Sequence, residues 1–439
     1  MSQLLTPKAF FTGGLFCLIA LSTTANAQWA VESRGELGLE TRVFQPDDNP
    51  GTNDQNVAAA ARLQVDSRKG DLRLRFRGFV RHDQTDRGRS AAFPEEAWAQ
   101  WKGERFSLTV GWDMVTWTAT EAFHPADVVN ARYFDSNVEN FEKVGEPLAQ
   151  LRMKLGQGNI SAYLMPYFTS PIFPSAQSRL SFTGPGVSMG GARWLTRDGD
   201  ITRDRLGAQW AVNLQQTVGD ADLSFHVLQN QDRYNPVIGI DPTRLEVHPL
   251  FKPVTQIGGT YQQVIEGLIA KAEFAYRYYD RSDAKPSPTF IALDPRQLTE
   301  NRDHGVAALG LEYSVSHDIG WESTFIVEGQ SVFAEGKGLN GNARIRHELN
   351  IFQRDVMGGL RLAFQDAADS TLLLFAVVDL ENAEQMFGNL GYNRRLGEEW
   401  SLKAGLRFFN LPPKNPDMPV GFERWHKANQ FTLTLMRHF

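Results

Sequence analysis

Apolar and polar residues alternate along most of this chain. The alternation runs through residues 35–43, 72–77, 105–110, 270–277 and 431–435, among other segments. A period of two puts apolar side chains on one face of a β-strand and polar side chains on the other. Sustained helical periodicity is almost absent. The pattern therefore predicts an all-β protein.

About 18 such strands follow one another, and the gaps between them alternate in length. Every second gap is a tight turn, as at Gly70, Gly103 and Gly219, and the longest of the other gaps cover residues 115–145 and 169–203. One gap on the long side, near residues 382–383, is short. Short periplasmic turns and long extracellular loops are the layout of a transmembrane β-barrel. We predict an antiparallel transmembrane barrel of about 18 strands, with about 16 as the alternative.

The start of the chain has the features of a secretory signal peptide. Lys8 precedes an apolar stretch over residues 9–21, and Ala25-Asn26-Ala27 is a cleavage motif of small residues. We expect residues 1–27 to be removed, together with Cys17, the single cysteine of the chain. Residues 28–439 then form a single barrel domain with its long loops.

The end of the chain carries an independent signal. Phe431, Leu433, Leu435 and Phe439 share one strand face. This pattern is similar to the terminal strand that the barrel-assembly machinery of Gram-negative bacteria reads, although Arg437 stands where that pattern has an apolar residue. The resemblance implies that machinery as a partner through the Phe439 strand. We expect the protein in the bacterial outer membrane, among its lipids and lipopolysaccharide.

Composition excludes other classes of protein. The 45 basic and 51 acidic residues give a net charge of −6, so we expect no nucleic-acid partner. One cysteine excludes a disulfide scaffold, and 29 Phe residues exclude a disordered chain. The negative mean hydropathy, −0.35, agrees with a barrel, because only one face of each strand meets lipid.

The inward faces of the predicted strands carry more basic than acidic residues. The apolar faces meet lipid, so the polar faces line the lumen. The predicted pore-lining residues are Arg34, Arg42, Arg62, Arg68, Arg73, Arg75, Arg77, Arg105, Arg152, Lys154, Lys271, Arg277, Arg361, Lys403 and Arg407.

Two interpretations of these cations remain open. They attract anions into the pore, where the planar guanidinium group holds carboxylates or phosphates, or they pair with lumenal carboxylates and stabilise the wall. The run of Arg73, Arg75 and Arg77 favours the first interpretation, since the preceding strand offers only Asp66 as a near partner.

A barrel of this size encloses a wide aqueous lumen that something must narrow. The 115–145 loop is rich in aromatic residues, which exposed loops rarely carry, so we expect part of it to pack inside the barrel. The candidates for this constriction are Trp117, Phe123, His124, Asp127, Tyr133 and Phe134. A lid on the outer surface is the alternative.

Other chemistry has weaker support. Gly186, Ser188 and Gly190 match the G-x-S-x-G motif, but they fall in a loop and not in the strand–turn–helix context that a nucleophile elbow needs. We therefore expect no enzymatic activity, with a hydrolase at the barrel rim as an alternative. Acidic loop residues around Asp47, Asp48 and Asp54 suit calcium but lack the spacing of a known motif. We expect no cofactor and no metal site.

Two resemblances refine the functional expectation. The arrangement over residues 28–439 resembles eighteen-stranded outer-membrane channels, which include sugar porins and alginate-export channels. The segment from Trp112-Asp113 to Phe123-His-Pro-Ala-Asp127-Val-Val-Asn130 resembles a loop in a poorly characterised family of proteobacterial outer-membrane barrels. We expect a porin-like channel for small anionic solutes. Export of an anionic polysaccharide is the alternative that the first resemblance implies.

Overall fold

The computed structural model describes residues 29–46, 51–135, 142–183, 187, 189–244, 246–279, 284–334, 346, 349–350, 352–412 and 421–439. The predicted signal peptide, Ser188 and the acidic residues Asp47 and Asp48 lie outside the described residues.

Eighteen antiparallel strands form one sheet that closes on itself. Period-two alternation gives each of them a lipid face and a lumen face. In chain order they are β1 Ala30–Phe44, β2 Gln55–Lys69, β3 Leu72–Asp83, β4 Ala91–Lys102, β5 Phe106–Asp113, β6 Glu146–Leu155, β7 Gly158–Tyr167, β8 Leu206–Val218, β9 Ala221–Gln231, β10 Pro253–Ile265, β11 Leu268–Tyr279, β12 His304–Ser316, β13 Glu322–Ala334, β14 Arg354–Ala363, β15 Thr371–Asp379, β16 Met386–Leu396, β17 Trp400–Asn410 and β18 Gln430–His438.

Each strand pairs with its neighbours in sequence, and β18 closes the barrel on β1. Leu39 lies opposite Leu435 at this seam, and the backbone N–H of Gly35 donates to the carbonyl of Phe439 at 2.7 Å. A closed ladder leaves no sheet edge exposed to lipid. The predicted fold class is confirmed, with 18 strands and not 16.

Tight turns join the strands at one end of the barrel. Gly70, Gly156 and Gly219 have φ angles of 57°, 59° and 62°, in the left-handed region where glycine carries no steric cost. At the other end the connections are mostly long, and the shortest of them is residues 380–385 between β15 and β16. That short gap is a real hairpin loop, which Asp379 stabilises by accepting the backbone N–H of Glu381 at 2.7 Å.

The outer surface of the barrel is apolar. Leu39, Phe225 and Leu309 have exposed fractions of 63%, 53% and 67%, although a protein in water would bury such side chains. Exposed aromatic side chains also lie near the two ends of the strands: Trp101, Trp321 and Trp400 at the short-turn end, and Trp210, Tyr276 and Tyr278 at the long-loop end. An apolar belt between aromatic girdles is the surface that a bilayer requires.

Long loops carry a little further structure. A small five-stranded sheet lies above β7 to β12. In spatial order its strands are Ile201–Thr202, Arg193–Leu195, Glu246–Phe251, Val237–Asp241 and Ile291–Ala292. Arg132–Tyr133 pairs with Glu142–Lys143, Arg296–Thr299 is one helical turn, and Arg87–Arg89 and Gly421–Trp425 are 3₁₀ turns. None of the helices in the described residues is long and apolar enough to cross a membrane.

Candidate functional site in the barrel lumen

The connection between β5 and β6 folds into the barrel. We call its described residues, 114–135 and 142–145, the inner loop. Trp117 stacks on the ring of His226 in β9 at 4.6 Å, and packs edge-on against Tyr163 in β7 at 5.8 Å. Val128 and Val129 of the same loop are buried in this cluster. The inner loop therefore packs against the lumen face of β6 to β9.

The tip of the inner loop crosses to the opposite wall. The carboxylate of Glu273 in β11 accepts the backbone N–H of Ala119 at 2.7 Å, the hydroxyl of Thr120 at 2.7 Å and the backbone N–H of Ala126 at 3.2 Å. Glu328 in β13 accepts the backbone N–H of Ala122 at 2.7 Å. Charge-assisted hydrogen bonds of this kind are about twice as strong as neutral ones. Two wall carboxylates thus hold the tip across the lumen.

Polar residues fix the base of the inner loop. Asp127 lies 2.7 Å from both Arg132 and Lys143, and the side-chain oxygen of Asn130 accepts the backbone N–H of Val115 at 2.8 Å. Burial alone would raise the pKa of Asp127, but the cations of Lys143 and Arg132 lower that pKa below its ordinary value. Asp127 is therefore a carboxylate that ties the two arms of the loop together.

A cavity of about 550 Å³ remains beside the inner loop. It extends from Glu36 and Lys403, near the short-turn ends of β1 and β17, up to Arg89 and Phe352 in the long connections. We call it the lumen cavity. Among the described residues, seven basic and four acidic side chains line it, and acids just outside the lining, such as Asp135 and Glu95, pair with some of these cations.

One wall of the lumen cavity carries paired charges. Arg42 lies 2.8 Å from Asp135 of the inner loop, and Arg81 lies 2.9 Å from Glu40. Arg62 reaches Glu95 at 2.8 Å and Glu142 of the inner loop at 3.3 Å. Such pairs hold the guanidinium groups in place, which lowers their freedom to bind other anions.

Arg75 and Arg77 have more partners than the sequence argument allowed. Arg75 lies 2.6 Å from Asp66, as expected, but Arg77 lies 2.8 Å from Glu95, and Glu96 also contacts both arginines. A β-bulge in β4 shifts the register with β3 at this point. Because the bulge interrupts the period-two alternation, two consecutive glutamates face the lumen. The preceding strand does offer only Asp66 to Arg75 and Arg77, but the following strand adds Glu95 and Glu96, so these two arginines are paired within the wall.

The remaining predicted residues occupy three regions. Arg42, Arg62, Arg361, Lys403 and Arg407 line the lumen cavity. Lys271 pairs with Glu121 of the inner loop at 2.7 Å, and Arg277 donates to Gln256 at 3.0 Å, so both lie behind the loop. Toward the short-turn end, outside the cavity lining, lie Arg34, Arg68, Arg73, Arg105, Arg152 and Lys154.

The predicted constriction residues all lie on the inner loop, where they have different neighbours. Phe123 lines the lumen cavity and packs edge-on against Phe352 at 5.2 Å. The Nδ1 atom of His124 lies 3.7 Å from Glu273. Tyr133 is buried under Arg81, with the guanidinium carbon 5.3 Å from the ring centre, and Phe134 stacks on Phe173 at 5.4 Å. Trp117 and Asp127 pack into the loop base described above.

The other wall of the lumen cavity is apolar, which the sequence analysis missed. Side chains from β13 to β16 form this apolar wall, together with Phe123 of the inner loop: Ile326, Met357, Leu373, Phe375, Val377 and Phe387. The available signal was the continuous apolar run over residues 372–378 in β15. An uninterrupted run indicates a strand that is covered on both faces.

Comparisons with known proteins agree with this architecture at the level of the fold. No family model and no curated protein matches the chain. Among solved structures, Acinetobacter baumannii OccAB1 is similar to it, with a TM-score of 0.50 and 9% identity over 94% of this chain and 96% of that chain. Pseudomonas aeruginosa OpdO matches with a TM-score of 0.49 and 9% identity, over 93% of this chain and 96% of that chain.

The closed barrel and its apolar belt define the class of the protein. It is a Gram-negative outer-membrane β-barrel with porin-like architecture. The predicted location in the bacterial outer membrane is confirmed, and with it the predicted contact with membrane lipid.

Proposed function

We propose that the protein is a channel that passes small anionic solutes through a lumen narrowed by the inner loop. The observation that carries this proposal is the lumen cavity, with seven basic and four acidic side chains among its described lining residues. Fixed cations inside a low-dielectric wall raise the local concentration of anions. Both interpretations of the lumenal cations enter the proposal, since several of them pair with protein carboxylates while the described lining as a whole has more basic than acidic side chains.

The narrowing sets the size of the solute. A cavity of about 550 Å³ is of the size that accommodates a small organic molecule. Polymer export would need a wider path, and the hydrogen bonds of Glu273 and Glu328 to the inner-loop tip oppose its displacement. We therefore favour small solutes over an anionic polysaccharide.

Single-channel recording in a planar lipid bilayer tests the proposal. With a KCl gradient across the bilayer, we expect discrete openings and a reversal potential displaced toward the chloride equilibrium potential. Because chloride is small compared with the lumen, we expect only a modest preference for chloride over potassium. A modest preference is therefore enough to support a lumen that attracts anions. Cation-selective openings, or a folded protein that does not conduct, would refute the proposal.

We also propose that the protein has no enzymatic activity. The hydroxyl of Ser401 lies 2.8 Å from Nε2 of His438, and Glu36 lies 3.8 Å from Nδ1 of that histidine, at the short-turn end of the lumen. These residues occupy adjacent barrel strands, whose backbone N–H groups serve the sheet ladder. An oxyanion hole needs donors that are free to face the substrate. Hydrolysis of a p-nitrophenyl ester that is lost on Ser401→Ala would contradict this proposal.

A further inference from the structure

The base of the inner loop packs on a histidine of the barrel wall. His226 of β9 has an exposed fraction of 2%, and its ring stacks on Trp117 of the inner loop at 4.6 Å. Its Nε2 atom lies 2.9 Å from the side-chain nitrogen of Gln256 in β10. Histidine is the side chain whose ordinary titration falls between about pH 5 and 8. The loop base therefore covers a group that can change its charge near neutral pH.

The neighbours of Gln256 fix the direction of its amide group. The side-chain oxygen accepts Nε–H of Arg277 in β11 at 3.0 Å, and the nitrogen donates to the carbonyl of Ala126 in the inner loop at 3.4 Å. An arginine side chain only donates, so a reversed amide would place two donors face to face. The nitrogen of Gln256 therefore donates to Nε2 of His226, and the neutral ring carries its proton on Nδ1.

A second proton on His226 has no acceptor while the loop base is packed. Protonation would place an N–H at Nε2 directly against the NH₂ group of Gln256. The Nδ1 atom has no hydrogen-bond partner among the described residues. A buried donor without a partner destabilises the state that contains it, and more so when the group is charged. The hydrogen bonds around His226 thus favour its neutral form.

Charges near His226 come from two other elements. Arg277 opposes a positive ring, and Asp127 of the inner loop favours one, but Asp127 is already paired with two cations of that loop. The residues opposite His226 on the neighbouring strands, Asn213 and Gly258, carry no charge. Tyr163 of β7 packs on the Trp117 ring, and a tyrosine is uncharged at these pH values. The charges therefore do not compensate for the missing acceptors.

We propose that His226 makes the inner loop an acid-sensitive gate, in which protonation of the ring displaces the loop base from the wall and widens the channel. Displacement exposes the ring to lumen water, where both of its N–H groups find acceptors. The packed state then binds one proton fewer than the displaced state, so a fall in pH favours displacement. The widening rests on the proposed channel function, whereas the displacement does not.

Hydrogen exchange of the whole barrel in detergent, followed by mass spectrometry, tests the displacement. Protection of residues 114–130 is compared at pH 7.5 and pH 5.5, after correction for the intrinsic exchange rate. The exposed ring of the displaced state has an ordinary pKa of about 6.5, so we expect protection to fall about tenfold between these pH values. A fall of less than about threefold would overturn the proposal.

Three variants locate the proton sensor. His226→Phe keeps a ring on Trp117, His226→Gln keeps a hydrogen-bond acceptor, and neither new side chain titrates. We expect both folded variants to lose the pH dependence of protection. His438→Gln is the matched control and should keep it, because His438 bonds to Ser401 at the short-turn end, away from the inner loop. A fall that persists in both His226 variants would belong to other groups, such as Glu273 and Glu328, and would refute the proposal.

Bilayer recording at the same two pH values separates this inference from the proposed channel. We expect conductance to rise at pH 5.5 in the unaltered protein and in His438→Gln, but not in the His226 variants. Loss of protection at pH 5.5 in a protein that conducts at neither pH would leave the switch and remove the channel. Anion-selective conductance with the same protection at both pH values would leave the channel and remove the switch.

Discussion

Lys252 is a buried cation at the long-loop rim, between the strand Glu246–Phe251 and β10. Its ammonium group is 3.4 Å from the carbonyl oxygen of Leu298 and 6.0 Å from the ring centre of Tyr279. Burial, together with the cation of Arg302 and against the smaller opposing effect of Asp303, lowers the pKa of Lys252 from 10.5 to about 8. The folded protein therefore holds this proton less firmly than the unfolded chain does.

We predict that Lys252 makes the barrel less stable at neutral pH than at high pH. Between pH 8 and 10.5 the unfolded chain binds this proton and the folded protein does not, so the free energy of unfolding rises with pH. The gain is at most about 3 kcal/mol. Urea unfolding in lipid vesicles at pH 7, 9 and 10 measures it. Lys252→Met should remove this part of the pH dependence, and an identical pH profile in the variant would contradict the prediction.

At the scale of single residues, the sequence predicts which side chains face the lumen better than it predicts their partners. The alternation in β2 predicts that Arg62 faces inward. Two of its partners come from elsewhere, Glu95 from a β-bulge and Glu142 from the inner loop. Neither a bulge nor a loop contact produces a periodic pattern of residues in the sequence, so neither could be predicted.

The inner loop is the element that shapes the lumen. Its tip depends on Glu273, a single carboxylate that accepts hydrogen bonds from Ala119, Thr120 and Ala126. Removal of the carboxylate leaves these donors unpaired in a buried place, at a cost of about 1–3 kcal/mol for each. The position of the tip is therefore sensitive to this side chain, although Glu328 also holds Ala122.

We predict that Glu273→Leu releases the inner-loop tip and increases single-channel conductance. Glu273→Gln keeps one carbonyl oxygen as an acceptor, so its conductance should lie between those of the Leu variant and the unaltered protein. Bilayer recording on the three proteins, each shown to be folded, makes the comparison. An unchanged conductance in Glu273→Leu would mean that the loop stays in place without this carboxylate.

Elements differ in how much the sequence says about them. The aromatic residues of the 115–145 loop indicate that part of it packs inside the barrel. The anchoring residues Glu273 and Glu328 give no such indication, because they lie 147 or more residues further along the chain. The apolar wall was missed because the alternation argument assigned apolar strand faces to lipid and did not consider Leu373 and Phe375 separately. In fact they line the lumen cavity.

For the whole molecule, the seam between β1 and β18 completes the barrel. Phe439 covers Gly35 there, since a Cβ atom at Gly35 would lie 2.2 Å from the Phe439 ring. The backbones of the two residues also exchange hydrogen bonds of 2.7 and 3.0 Å. An aromatic ring over a glycine is a recurrent device for stabilising a strand pair that lacks a side chain.

We predict that Gly35→Val destabilises the closed barrel by about 1–3 kcal/mol, because the new side chain displaces the Phe439 ring. The folded fraction after refolding into lipid vesicles, measured by gel mobility without heating, should fall. Gly358→Val serves as the control, since that position has free space around it. Equal folded fractions for the two variants would show that the Phe439 contact contributes little to closure.

The strand count, the turn pattern and the outward faces follow from local alternation, which is why the barrel could be predicted as a whole. The lumen could not, because its shape depends on contacts between residues far apart in the chain. Arg361, Lys403 and Arg407 show this: their inward direction was predicted, but their position beside the apolar wall was not.

The central claim is that cations of the lumen cavity select anions, and the reversal potential in a KCl gradient tests it most directly. We compare the unaltered protein with Arg361→Gln/Lys403→Gln/Arg407→Gln, which removes three cavity cations. A matched control, Arg34→Gln/Arg68→Gln/Arg73→Gln, removes three cations outside the cavity lining. We predict anion selectivity in the unaltered protein and the control, and its loss or reversal in the cavity variant. Equal reversal potentials in all three proteins would contradict the claim.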